Sequence, residues 1–427
     1  MTERPDPVAD GSRLPEAERA RGRRLAVLSH PAGMTHRMAF TDQLPTLALV
    51  ALGASEGLVG AQRFLVLIAV LLQLPTLRMV GRVPKRHILV SGQVAAVLGS
   101  LPLVAFGVLA GLGGPGVALA LVGFATTAAG FTVSGTVWFP LLHGYVDPER
   151  IGRFFGVLRT GWHLTLIGYF LGARAWLEAR PGDFGPIFAL AASLGALRAV
   201  LVSRLPERSE QTGEAVSVRD AFRFVRKRPG WSSYLTGTVL GGSARTVFMT
   251  FAIVMMRRVL GFSEADVLYT TVALFSGGLV SLYLWGRAVD AFGPAPVFRV
   301  TALGQAALML AFTTLAETQV GAVGWAVLVF FGMALLASGF DVADTRVLFG
   351  MTPDDTPARL IAPTTVANGL LRGTLPLLAG LALEQGLGAG AAPAEAYRGL
   401  FSVLAVLQVA ALWPLRRFQQ VGRHREH

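Results

Sequence analysis

Long apolar runs alternate with short polar, arginine-rich stretches along nearly the whole chain. The runs fall at residues 26–51, 58–79, 88–110, 115–140, 154–177 and 186–204, and after a polar interval at 232–258, 264–286, 296–317, 321–345, 361–383 and 397–415. Crossing roughly 30 Å of hydrocarbon takes about 20 mostly apolar residues in a helix. The pattern therefore predicts an all-α integral membrane protein with twelve transmembrane helices. The first run is the most diluted, by His30, His36, Arg37, Asp42 and Gln43.

The polar intervals add orientation. Lys and Arg concentrate in both tails and in every second interval, for example Arg82, Lys85 and Arg86, then Arg150 and Arg153, then Arg204 to Arg228. The other intervals hold few, such as Arg174, Arg180, Arg257, Arg258 and Arg398. Loops rich in Lys and Arg stay on the cytoplasmic side, so both termini are expected there, in a cell membrane, with an even number of spans. Residues 1–25 read as a cytoplasmic tail without a signal peptide. Residues 26–204 form one six-helix half, 205–231 a linker, 232–417 a second half and 418–427 a short tail. Within the linker, Val218, Ala221, Phe222 and Val225 fall on one helical face and Arg219, Arg223 and Arg226 on another, an amphipathic helix suited to the interface. A solvated linker fits the stretch before it.

Composition changes this picture little. The chain is 53% hydrophobic and 15% charged, against about 25% charged for soluble domains. Its 50 glycines sit inside apolar runs, where small residues let helices approach closely. The absence of cysteine excludes disulfides and thiolate metal sites, and neither a metal nor another cofactor is expected. A net charge of +12 suits membrane topology, and no basic, aromatic-interleaved domain is present to engage nucleic acid.

The two halves share landmarks. Gly81, in GRVPKRH, and Asp290, in GRAVDAFGP, occupy equivalent loop positions, and so do Arg153 and Arg359; both pairs are separated by nearly half the chain. Two six-helix pseudo-repeats are a transporter plan. At this point the sequence resembles the major facilitator superfamily, whose signature loop carries Gly, then Asp, then Gly among basic residues. The second copy keeps Gly286, Asp290 and Gly293 but has Ala291 where a basic residue is usual. The first keeps Arg82, Lys85 and Arg86, with Gly81 in the place of the acid. The resemblance implies that these loops, with Arg153 and Arg359, help to lock the cytoplasmic side; they serve equally as topology signals. The fourth run lacks the arginine of many proton-coupled members, and the fifth lacks the Gly-Pro-x-x-Gly-Gly end of drug/proton antiporters.

Ionisable groups inside a span are functional candidates by default. Asp42, beside Gln43, Pro45 and Thr46, is a candidate for cation binding or for carrying a coupling proton; an ion pair with Arg37 or Arg63 is the structural alternative. Gln43 joins it as a substrate candidate. Arg245, next to Gly241 and Gly242, and Arg372 offer a guanidinium to a carboxylate or phosphate, and Arg372 has Asp341 or Asp344 as alternative partners. His163, one turn from Arg159, is a candidate proton relay or a packing residue. His30, His36, His87 and His143 fall close to the ends of the runs. The resulting expectation is a monomeric transporter in the lipid bilayer for a small charged or zwitterionic solute, with H+ as the candidate coupling ion. The alternatives are a membrane-embedded prenyl or acyl transferase, for which the acids are poorly clustered, and a non-transporting sensor or lipid-handling relative.

Overall fold

The computed structural model describes residues 14–416 and 418, apart from 81, 148–150, 208–217, 317–319 and 352–357. Only helices of any length occur among these residues. The first half comprises α1 (Glu16–Thr41) and α2 (Gln43–Ala51), which follow one another in a broken rod, and then α3 (Glu56–Ile68), continued through a 3-10 turn at Ala69–Leu72 into α4 (Gln73–Met79). Next come α5 (Lys85–Val104) with the short α6 (Phe106–Gly111), α7 (Gly114–Leu142), α8 (Ile151–Ala179) and α9 (Gly185–Ser203). The linker helix is α10 (Val218–Lys227). The second half holds α11 (Trp231–Arg258), α12 (Glu264–Phe292), α13 (Pro294–Phe312), α14 (Ala322–Met351), α15 (Ala358–Gly388), α16 (Pro393–Ala410) and the short α17 (Leu412–Leu415).

Among the described residues nine rods are long and apolar enough to cross a membrane, and the bent α12 makes a tenth. The α1–α2 and α8 rods fall outside that test, and each carries arginines along its length. Helix is the only open-chain solution for a lipid-exposed backbone, because every N–H and C=O must be bonded within its own segment. Outward apolar side chains such as Leu98, Val122 and Leu284 accordingly stay exposed on the rods.

The first rod begins ten residues before the apolar run. Pro15 stands at its N-cap, and Glu16 and Glu18 occupy the first turn, where carboxylates complement the helix dipole. Arg19 then pairs with Asp147, and Arg23 donates to the Tyr145 carbonyl at 2.9 Å. Within this longer rod His30 is partly buried and His36 lies inside the bundle. His36 is fully buried, accepting from Gln93 Nε2 at its Nδ1 (3.1 Å) with Ser100 Oγ 3.4 Å from its Nε2. In the linker, Val225 is buried while Arg223 and Arg226 are exposed.

The halves meet along two seams, α3 against α15 and α8 against α12. Glycine makes the first seam close: a Cβ on Gly60 would lie 2.4 Å from the Pro376 carbonyl oxygen, and one on Gly380 2.4 Å from that of Glu56.

Candidate functional site

The hydrogen bonds between the halves define which side of the molecule is shut. The turns after α2, α8, α11 and α15 lie on the face opposite the start of α1 and the end of α17, here termed the far face. There Arg258 donates to the Glu56 carboxylate and to the Ala54 carbonyl, and Tyr397 Oη donates to Glu56 at 2.9 Å. Glu384 accepts from Ser55 Oγ and from the Gly57 amide, both at 3.0 Å. Glu264, bonded to Arg257, accepts from the Gly182 amide at 2.7 Å. Deeper in, Thr271 donates to Gln43 at 2.6 Å, and Arg63 Nε donates to Thr250 at 3.1 Å. Among the described residues, no hydrogen bond joins the halves near the termini face.

Beneath this seal lies a cavity of about 760 Å³ lined by both halves. Its wall extends toward the termini face as far as Leu348 and Thr364. Arg37, Asp42, Arg63 and His163 enter it from the first half, and Tyr234, Arg245, Asp341, Asp344, Asn368 and Arg372 from the second.

The first-half side of the cavity is built around a break in the first rod. Pro45 has no N–H to give the Thr41 carbonyl, and its ring crowds that carbonyl. The chain leaves helical geometry at Asp42, with φ −108° and ψ −126°. Arg63 of α3 takes over the freed groups: Nη1 donates to the Thr41 carbonyl at 2.7 Å and Nη2 to the Asp42 carbonyl. Arg63 is thus spent on backbone and on Thr250. The expected alternative, an ion pair from Arg63 to the Asp42 carboxylate, is not formed; Asp42 makes no ion pair with any described residue and lines the cavity. Gln43 is 1% exposed and lies outside the cavity wall, committed to Thr271 across the seam.

In the second half, Arg245 donates to Asp341 at 2.9 Å and lies 5.9 Å from the Phe340 ring centre. Asp344 accepts from Tyr234 Oη. Arg372 has Asp341 and Asp344 as charged neighbours and occupies the space over Gly242, where a Cβ would fall 2.2 Å from its Nε. Two arginines are therefore balanced by two aspartates in one network. His163 Nδ1–H donates to the Arg159 carbonyl at 2.8 Å. Its Nε2 edge faces Gly278 of α12, 3.2 Å from where a Cβ would stand. The ring sits at the seam between the halves and at the cavity wall.

Among the described residues, the signature loops make no bond from one half to the other. Gly293 (φ +78°) joins α12 to α13 in a left-handed turn that suits glycine. Gly286 lies within α12, and Asp290, at the helix end, is exposed without a bond to any described residue. In the first copy the α5 N-terminus is met by an acid from the linker: Glu207 accepts from the Lys85 and Arg86 amides at 2.7 and 2.8 Å, and Arg86 Nη1 donates to the Leu205 carbonyl. Tyr145 Oη donates to the Pro206 carbonyl beside it at 2.6 Å. Burial, with Glu207 nearby, holds that phenol above its ordinary range, so it stays a donor. Glu207 thus sets a linker acid against the start of α5, a pairing for which the LPER stretch is the sequence signal. Arg82 and Arg153 are exposed. Gly81 and the Arg359 side chain lie outside the described residues.

Solved structures of similar shape were found by comparison. A mutant of the nucleoside transporter NupG matches with a TM-score of 0.70 at 14% identity, over 94% of this chain and 99% of that one. A POT family transporter in complex with 5-aminolevulinic acid gives 0.69 at 11%, over 94% and 97%. A bacterial homologue of the iron transporter ferroportin gives 0.66 at 15% in its inward-facing state, over 95% and 99%, and 0.58 at 16% in its outward-facing state, over 94% and 99%. At these identities the likeness establishes the fold. Sequence comparison with curated proteins gave no significant match. The profile described as Major Facilitator Superfamily matches residues 32–343, most of the chain and parts of both halves, and the protein belongs to that superfamily.

Proposed function

We propose that this protein is a secondary transporter that carries a small charged or zwitterionic organic solute through the cavity between its halves. The observation that carries the reading is a 760 Å³ cavity, shared by both halves and rich in paired charge, bonded shut at the far face and with no bond between the halves at the termini face among the described residues. Sites that bind at the centre of two repeats and open alternately by rocking are the plan of such transporters. The twelve rods are read as twelve crossings, with both termini cytoplasmic by the Lys and Arg bias. The conformation is then inward-facing, in keeping with the higher score against the inward-facing ferroportin homologue.

Arg245 and Arg372, braced by Asp341 and Asp344, are assigned to polar groups of the solute. Asp42, which has no cation paired to its carboxylate, is assigned the coupling proton, with His163 at the seam as the second titrating group. The test is uptake into proteoliposomes under an imposed pH gradient, from a solute library first narrowed by thermal shift of the purified protein. Uptake of a hit that collapses in Arg245→Gln and loses its proton dependence in Asp42→Asn supports the assignment. Uptake unaffected by both substitutions overturns the site while leaving the fold in place.

A further inference from the structure

Charge is distributed unequally between the halves. The second-half arginines of the cavity have aspartates beside them. In the first half, Arg37, Arg159 and Arg198 converge on a side cavity of about 240 Å³ walled by α1, α7, α8 and α9. No described acid lines it, and none of the three arginines forms an ion pair with a described carboxylate. Arg198 is 5% exposed. Its stem lies over Gly33, where a Cβ would meet Cδ at 2.1 Å, and its guanidinium is 5.1 Å from the Trp138 ring centre. Trp138 also stacks on His30, with 5.7 Å between centres and 5° between planes. Arg198 Nε, Trp138 Nε1 and His30 Nδ1 are all buried without a hydrogen-bond partner among the described residues.

Guanidinium groups at membrane depth ordinarily face a partner or a cavity. Buried donors left unpaired cost more than donors paired. A wall with three cations, unpaired buried N–H groups of Arg198 and Trp138 and no described acid is chemically suited to an anion. We infer that this side pocket is a subsite for a carboxylate or phosphate group, held by Arg198 and Arg159 with Arg37 at its inner edge. The fork geometry of arginine suits both groups. Pockets for whole drug-sized ligands run from about 300 to 1,000 Å³, so this cavity fits a head group and little more. Arg37, Phe131 and Trp162 line it and the central cavity alike. An anionic head can lodge here while an organic body extends into the central space. The subsite rests on the proposed transport path for its role and on the pocket alone for its existence. It adds an anion-binding group in the first half to the polar contacts assigned to Arg245 and Arg372, which have acids beside them.

The experiment is a thermal-shift titration of the full chain in detergent with inorganic phosphate, and separately with succinate, against chloride at matched ionic strength. Wild type is expected to show a saturable rise in melting temperature with either probe. Arg198→Gln and Arg159→Gln should weaken the apparent Kd about tenfold or more, the loss of one charge-assisted bond, and Arg287→Gln, at an exposed position of α12 outside both cavities, should leave it unchanged. Arg159 is exposed at the wall, so its variant carries the test if Arg198→Gln does not fold. Arg198→Gln, once folded, should also melt no lower than wild type without anion, because it removes an uncompensated buried charge. Repeating the titration in phosphatidylcholine nanodiscs with and without phosphatidylglycerol separates the two sources of the group. A phosphate response abolished by the anionic lipid assigns the pocket to a lipid head, and a response that persists assigns it to a soluble anion. No saturable response in wild type, or an undiminished one in Arg159→Gln, overturns the subsite. Failure of vesicle uptake with the phosphate response intact would count against the transport path alone.

Discussion

Replacing Glu56 by Gln should swing the protein away from the far-face-shut conformation. Glu56 opens α3 on the first half, and its side chain is 9% exposed where it meets Arg258, which is 30% exposed. Tyr397 bonds the same carboxylate. Gln keeps the shape and an acceptor oxygen but removes the charge, leaving Arg258 largely enclosed without its counter-ion. Fully exposed ion pairs contribute about 0–1 kcal/mol, and breaking a fully buried pair costs about 3–5 kcal/mol. A pair of intermediate exposure falls between, at about 1–3 kcal/mol. Its three groups come from both halves, so the loss applies to the shut state and not to a state with this face open. That corresponds to a shift of about 5- to 150-fold in the ratio of the two states. The chain has no cysteine, so spin labels can be placed without background at Arg180→Cys and Ala391→Cys, on exposed far-face turns of the two halves. Pulsed dipolar spectroscopy should show a longer distance gaining population in Glu56→Gln, and a smaller gain in Tyr397→Phe, which loses one bond. If the Glu56→Gln distances superpose on those of wild type in a folded protein, the latch reasoning is refuted.

Three further outcomes are expected. Arg63→Ala should lower thermal stability by several kcal/mol, because two buried carbonyls lose their donor at about 1–3 kcal/mol each. Pro45→Ala restores an N–H to Thr41 and should recover part of that loss, visible as coupling in a double-mutant cycle of melting measurements. Gly60→Ala or Gly380→Ala should push α3 and α15 apart by about 1 Å, since a methyl at 2.4 Å from a backbone oxygen sits well inside contact distance; an overpacking cost of about 1–3 kcal/mol should reach the same spin-label pair as far-face opening. Glu207→Ala removes the acid that caps α5 and should cost about 1–3 kcal/mol locally, read as faster hydrogen exchange at the Lys85 and Arg86 amides with the far-face distances unchanged.

Much of the architecture was legible in the chain because hydrocarbon permits so few backbone solutions. Once an apolar run is long enough to cross, a helix is the one open form that satisfies its own N–H and C=O groups, and the run locates it. The start of the first rod was not legible, because arginines and histidines over residues 16–37 hide a helix that continues well before the apolar run. Its charges are accommodated by partners such as Asp147 and the Tyr145 carbonyl, more than 120 residues away, and apolar periodicity carries no trace of them. The candidate site was legible as a set of residue types. Asp42, His163, Arg245 and Arg372 all reach the central cavity. Gln43 does not; its side chain is taken up by Thr271.

Run length and polar punctuation alone specify a bundle of membrane helices in two related halves, with costly charges at depth. How those charges are spent depends on the packing of the helices. A buried charge signals that a partner is needed, and the partner's identity depends on which helices come within about 3 Å. Arg63 thus serves the carbonyls of a proline-broken helix and not the Asp42 carboxylate, and Arg258 latches to Glu56 across the molecule. Arg37, Arg159 and Arg198 are brought to one wall where no described acid lies.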